Sequence, residues 1–220
     1  MALLSLFRPK TPLTLSKQLE QIGYFDLVTD PVKRDKIMEV IDKNDQPGVF
    51  GNGNHWLYIP NEDYLKMVFG LTKENERSAT ADFRSFELSP ADMVGDKLES
   101  SLHTIKVILE KNGLQFDWSD ENVNWARPEP SIETIDHTIR FNNLQYTVYS
   151  GNVRSKGSRP AIDYITNFRR ILNEVVKAQG SGLKFILLTA PETIYFVLVS
   201  PEMLKGLKKI VAGTDNEVEE

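Results

Sequence analysis

The stretch Ser150 to Ser158 reads SGNVRSKGS and runs straight into Arg159-Pro160, which sets Arg154, Lys156 and Arg159 within one six-residue span. Anion binding is the chemistry this combination offers. Its glycines let backbone N–H groups converge, a helix opening at Pro160 points the positive end of its dipole at the loop, and the cationic side chains neutralise a phosphate or carboxylate. Arg154, Lys156, Ser158 and Arg159 are therefore the candidate anion-binding residues. The spacing is neither G-x-x-x-x-G-K-[ST] nor G-x-G-x-x-G, so neither a P-loop nor a dinucleotide fold is implied, and a solvated loop with Ser158 as helix cap accounts for the same residues.

Three histidines supply the other titratable candidates. His137 falls on the apolar side of an alternating segment, which fits a buried, hydrogen-bonded core histidine better than a base paired with Asp136, whose side chain belongs to the opposite face. His103 lies four residues after Glu99 and seven before Glu110 on the polar face of a helical pattern. One nitrogen ligand with carboxylates is a poor zinc set, so an ion-paired helix surface is the expectation there. His55 follows a Gly-Asn-Gly-Asn turn beside Trp56. The acidic run Asp117, Ser119, Asp120, Glu121, Asn122, Asn124 has oxygen ligands at calcium-like density but lacks the EF-hand positions and central glycine, and is read as helix capping. Trp118 and Trp125 flank it and are the candidate interface residues, with core packing the more ordinary use of such side chains. No G-x-S-x-G occurs, and catalytic residues remain unassigned. No metal and no cofactor is expected.

Composition narrows the class further. The chain has 220 residues, 40% of them hydrophobic, with 31 acids against 26 bases and a net charge of −5. That acidic balance argues against duplex nucleic acid as a partner. Charge is segregated: residues 74–136 hold 14 acids and 6 bases, whereas 151–211 hold 10 bases and 4 acids. The absence of cysteine excludes disulfides, thiolate metal sites and cysteine nucleophiles. No stretch approaches the ~20 apolar residues of a membrane span, and the opening MALLSLFRPK has too short an apolar run for a secretory signal, so a cytoplasmic protein without a membrane partner is expected.

The elements that must position these residues are read from periodicity. LKFILLTAPETIYFVLV, Leu183 to Val199, predicts a central hairpin of strands 184–189 and 193–199, turning at Ala190-Pro191-Glu192 and covered on both faces because its apolar character is nearly continuous. Ile135, His137, Ile139 and Phe141, then Leu144, Tyr146 and Val148, alternate around Asn142-Asn143 and predict a second hairpin with one buried face. Helices are expected over 14–22, over 31–43 after Asp30-Pro31 with Val32 in its apolar stripe, from Ser89-Pro90 to Asn112 with Val94 in its stripe, from Pro160 to the glycines at 180–182, and from Pro201 to Val211. A short strand and glycine turn over 49–59, a helix over 62–69, a strand over 83–88, a strand over 114–118 and a helical turn within 119–125 complete the pattern. LYIPNEDYLKMVFG faintly echoes VLVSPEMLKGLKKI, which would suit an old duplication.

The expected fold is therefore α+β, an antiparallel sheet built from hairpins at about 135–149 and 183–199 with helices packed over it. Residues 1–212 are expected to form one compact domain, or two lobes, 1–127 and 131–212, divided at the proline-rich Arg127-Pro128-Glu129-Pro130, with 213–220 a disordered acidic tail. In function, the absence of catalytic motifs and the segregated charge favour a non-catalytic module that binds another protein. A small-molecule or phosphate site in the 150–160 loop is the alternative. Single-stranded nucleic acid stands third, since only Tyr149 and Tyr164 lie near the basic stretch.

Overall fold

The run of β-branched and aromatic residues after Leu183 pairs with itself as its composition predicts, and two hydrophobic clusters form on its opposite faces. The computed structural model describes residues 13–45, 60, 81–87, 94, 98–154, 159–190, 193–212 and 217–220. In chain order they form α1 (Leu15–Gln21), α2 (Pro31–Asn44), β1 (Ser85–Glu87), α3 (Glu99–Lys111), β2 (Trp118–Glu129), β3 (Ile132–Phe141), β4 (Leu144–Asn152), α4 (Pro160–Ala178), β5 (Lys184–Ala190), β6 (Thr193–Val199), α5 (Pro201–Val211) and β7 (Glu217–Glu219). The fold is α+β with two antiparallel sheets, one ordered β1-β6-β5-β7 and the other β2-β3-β4. Each expected hairpin sits in its own sheet.

Alternation along β5 and β6 decides the layering. Phe185, Leu187, Phe196 and Leu198 enter a cluster shared with α3, α4, β3 and β4. Ile186, Leu188, Tyr195, Val197 and Val199 enter a second cluster with α1, α2 and α5. A strand buried on both faces has no polar side to offer, hence its continuous apolar run. The N-terminal helices thus pack on the same sheet that the C-terminal hairpin builds, and Ser85–Glu87 extends that sheet by pairing with Tyr195–Val197.

Local signals place most helix ends. The Asp30 carboxylate accepts from the backbone N–H groups of Val32 and Lys33, at 2.9 and 3.3 Å, and Ser200 Oγ accepts from Met203 N at 3.2 Å. Gly113 and Gly180 follow α3 and α4 with φ of +75° and +72°, a conformation that costs glycine no steric clash. At the hairpin turn Asn142 and Asn143 take φ of +44° and +71°, the pair of left-handed residues that a two-residue turn between twisted strands requires. Ahead of β1, the fully buried Asp82 accepts from Tyr24 Oη at 2.8 Å, from Arg84 N and Ser85 N at 3.0 and 3.1 Å, and from Ser85 Oγ at 2.9 Å. Burial, with the Asp82 charge beside it, pushes the Tyr24 phenol well up.

Several expectations are corrected. Val32 is exposed, on the solvent side of a first turn whose Lys33 is buried. The long helix begins at Glu99, and Val94 lies in a bend before it. Residues 114–117 are irregular rather than extended, and 119–125 form strand instead of a helical turn, since pairing with β3 satisfies their backbone groups. Arg127-Pro128-Glu129-Pro130 is the end of β2 and the turn into β3, with Glu129 opposite Ile132. Within the 213–220 segment, Glu217–Glu219 pair with Leu187–Thr189 of β5. The 49–59 and 62–69 elements, Ser89-Pro90, the Pro191-Glu192 part of the central turn and the echoing LYIPNEDYLKMVFG segment apart from Pro60 lie outside the described residues.

Candidate functional site

Where the three-stranded sheet meets the end of α4, an open cleft of about 600 Å³ is lined by Trp118, Phe141, Leu144 and Tyr146, with Arg140 and several amides at its edge. Alternation puts Trp118 of β2 directly opposite Phe141 of β3, and the Asn142-Asn143 turn delivers Leu144 next to them. Phe141 is fully buried and forms the floor, stacked on Phe116 at 5.1 Å. Trp118 is half-buried and held edge-on against the exposed His103 ring at 4.9 Å. Leu144 is 57% exposed, an apolar side chain left to solvent at the mouth.

Amide side chains make the walls rigid. Asn142 Oδ1 accepts from Asp117 N at 2.9 Å and its Nδ2 donates to Gln115 O at 3.2 Å. Gln179 at the end of α4 brackets the same segment, accepting from Gln115 N at 2.7 Å and donating to Gln115 O at 2.9 Å. Charges at the edge are compensated: Lys106 Nζ donates to Asp117 at 2.7 Å, which raises the lysine pKa, and Arg140 meets Asp120 at 3.1 Å. Ser119 Oγ meets the Asp120 carboxylate at 3.4 Å, and no histidine is among the described lining residues. The site offers shape, aromatic surface and fixed dipoles, which is chemistry for binding.

A buried polar pair lies deeper in the same sheet. His137 is fully buried, as its place in the alternation predicts, and its Nε2 meets Glu121 Oε1 at 3.1 Å. The same oxygen accepts from Leu98 N at 2.7 Å, so Glu121 ties β2 to the start of α3. Asp136 is exposed on the other face. Tyr164 stacks on Tyr149 at 4.7 Å and both rings are buried. No solvent reaches His137, and the pair acts as a tether between elements. Its glutamate is the residue that sequence reasoning placed wrongly. A register shift between Ser119 and Asn122 turns Glu121 inward, and nothing in the local pattern announces it.

The anion-loop candidates are only partly visible. Arg154 pairs with Glu133, and Arg127 Nη2 donates to the same carboxylate at 2.8 Å. The hydrogen bond from Arg127, with the Arg154 charge beside it, holds the Glu133 carboxyl below the usual range. Arg159 is exposed at the start of α4 and makes no side-chain capping bond. Lys156 and Ser158, like His55, lie outside the described residues. Of the two candidate interface tryptophans, Trp118 lines the cleft, whereas Trp125 sits opposite Ile135, roughly 20 Å further along β2, and is 50% exposed. Among the described residues no group of three or more metal-ligating side chains converges, and no helix is long and apolar enough to cross a membrane.

Comparison with protein-family models, with curated proteins and with solved structures finds no significant match for this chain.

Proposed function

We propose that this protein is a non-catalytic interaction module that holds an extended segment of another protein in the Trp118 cleft. The observation that carries the reading is the combination of an exposed Leu144 with half-buried Trp118 and Tyr146 around a rigid, amide-braced wall. Aromatic anchors beside prearranged polar groups are what a partner's bulky apolar side chain and its flanking backbone can use at low ordering cost. Strand β4 adds to this: it is an edge strand that contains no charged residue and no proline, the devices that normally block strand addition.

A photo-crosslinking residue at position 144 tests it, with the same probe at Gln145, on the opposite face of β4, as the control. Crosslinking of one partner at position 144, lost in Trp118→Ala and reproduced with the purified partner, is the expected result. Equal crosslinking at both positions overturns the reading.

A second reading, an anion site, rests on Arg127 and Arg154 sharing the single carboxylate of Glu133, which leaves one positive charge over. Phosphate should then raise the melting temperature of the protein and not that of the Arg127→Ala, Arg154→Ala variant. Equal shifts in both, or none in either, exclude it.

A further inference from the structure

The last described strand is an unusual element. Glu217-Val218-Glu219 pairs with Thr189, Leu188 and Leu187 at the outer edge of β5, yet only Val218 is partly buried, against the cluster that holds Leu188. Three residues and one aliphatic contact make a strand of low local stability. What surrounds it is specific. Arg169 of α4, Lys184 of β5 and Lys208 of α5 converge on this edge, and Arg169 Nη2 donates to Glu219 Oε1 at 3.1 Å while both lysines pair with Glu220. These two lysines hold the Glu220 carboxyl down at about 2.

Two further features mark the edge as a built site. Arg169 is only 8% exposed, and its Nη1 is buried without a hydrogen-bond partner, so β7 satisfies half of a guanidinium that could hold a carboxylate bidentately. The next edge position is closed: Asn173 Oδ1 accepts from Phe185 N at 2.6 Å and its Nδ2 donates to Phe185 O at 2.9 Å. Asn173 therefore stops a docked strand at Leu187 and fixes its register.

We propose that the Leu187–Thr189 edge of β5, walled by Arg169, Lys184 and Lys208, is a docking site for a short acidic strand of another protein, and that β7 is its displaceable resident. The recognised pattern is acid, aliphatic, acid, acid: backbone pairing supplies affinity, the aliphatic residue fills the place of Val218, and the acids reach the three cations. The site lies on the four-stranded sheet and does not depend on the cleft reading. Because its resident is tethered, an incoming strand competes against a high local concentration.

The test uses the full chain. Glu219→Lys with Glu220→Lys reverses the charges that hold β7 and frees the edge. A fluorescein-labelled peptide with the sequence of residues 215–220, DNEVEE, is then titrated by anisotropy. If β7 is docked about nine-tenths of the time, the peptide binds the charge-reversed protein about tenfold more tightly than the unmodified protein. That binding weakens with added salt and disappears when Lys184→Glu and Lys208→Glu, both at partly exposed positions, are added. Equal affinity for the unmodified and charge-reversed proteins, or none for either, overturns the proposal, as does binding that survives the lysine changes. Conversion of the unmodified protein to a dimer by strand exchange, read by light scattering, overturns it in favour of self-association.

Discussion

The four-stranded and three-stranded sheets are both antiparallel, yet the first is covered on two faces and the second on one. Along β5 and β6 every second side chain feeds one cluster and its neighbours feed the other. Along β3 only Ile135, His137, Ile139 and Phe141 are buried, while Asp136, with Gln145, Thr147 and Ser150 of β4, faces solvent. The first sheet is therefore the centre of the packing, and the second leaves one face to solvent. The Trp118 cleft and the Glu133 arginine pair lie at the margins of the second. Even on the first sheet, the one proposed docking edge is held by a strand of three residues.

This contrast can be broken by mutation. Phe196→Ala removes a fully buried ring stacked on Phe86 at 4.8 Å and should cost about 3–5 kcal/mol in chemical denaturation, whereas Thr147→Ala on the open face of the other sheet should stay within about 0.5 kcal/mol. A Thr147 cost approaching that of Phe196 would mean that the open face is covered. Glu121→Ala should cost about 1–3 kcal/mol, because it leaves His137 Nε2 without its partner and Leu98 N without its acceptor, and it should speed amide exchange at Leu98. An unchanged exchange rate would show that the three-stranded sheet and α3 are not tied there. Asn142→Ala, at φ of +44°, should cost about 1 kcal/mol and loosen the cleft wall that Asn142 braces.

The smallest effect expected is that of pH. Glu133 and Glu220 both have folded pKa values below the ordinary 4.5 of a glutamate, so their contribution is fully present above that value and is lost as pH falls through the folded one. For Glu220 the window runs from about 4.5 to about 2. The cations in both sets of pairs are partly exposed, so solvent screens the interactions and the loss should be modest. Denaturation at pH 5 and pH 2.5 should show a smaller drop for Glu133→Gln than for the unmodified chain. Equal drops would mean that the arginine pairs do not act on Glu133 in solution.

Elements whose cause is local were legible in the sequence. Asp30-Pro31 and Ser200-Pro201 start α2 and α5 where their side chains can reach the first free N–H groups, and Asn142-Asn143 turns β3 into β4 because asparagine tolerates positive φ. His137 was placed in the core by alternation alone. The class of fold, the two hairpins and the double-sided burial of β5 and β6 followed from periodicity. None of these required knowledge of a distant residue.

Where the cause is a distant partner, only the tertiary structure decided. β2 carries Asp, Glu, Asn and Pro, and register shifts at 119/122 and 126/129 break its alternation; it is a strand because β3 pairs with it. The same shift at 119/122 turns Glu121 to His137. Glu217–Glu219 form a strand because β5 has an edge to fill and cations beside it, although the segment alone has the composition of a disordered tail. The capture of Arg154 by Glu133 likewise depends on residues brought together across the sheet. Periodicity and caps are properties of a chain segment, whereas register, edges and ion pairs are properties of two segments at once.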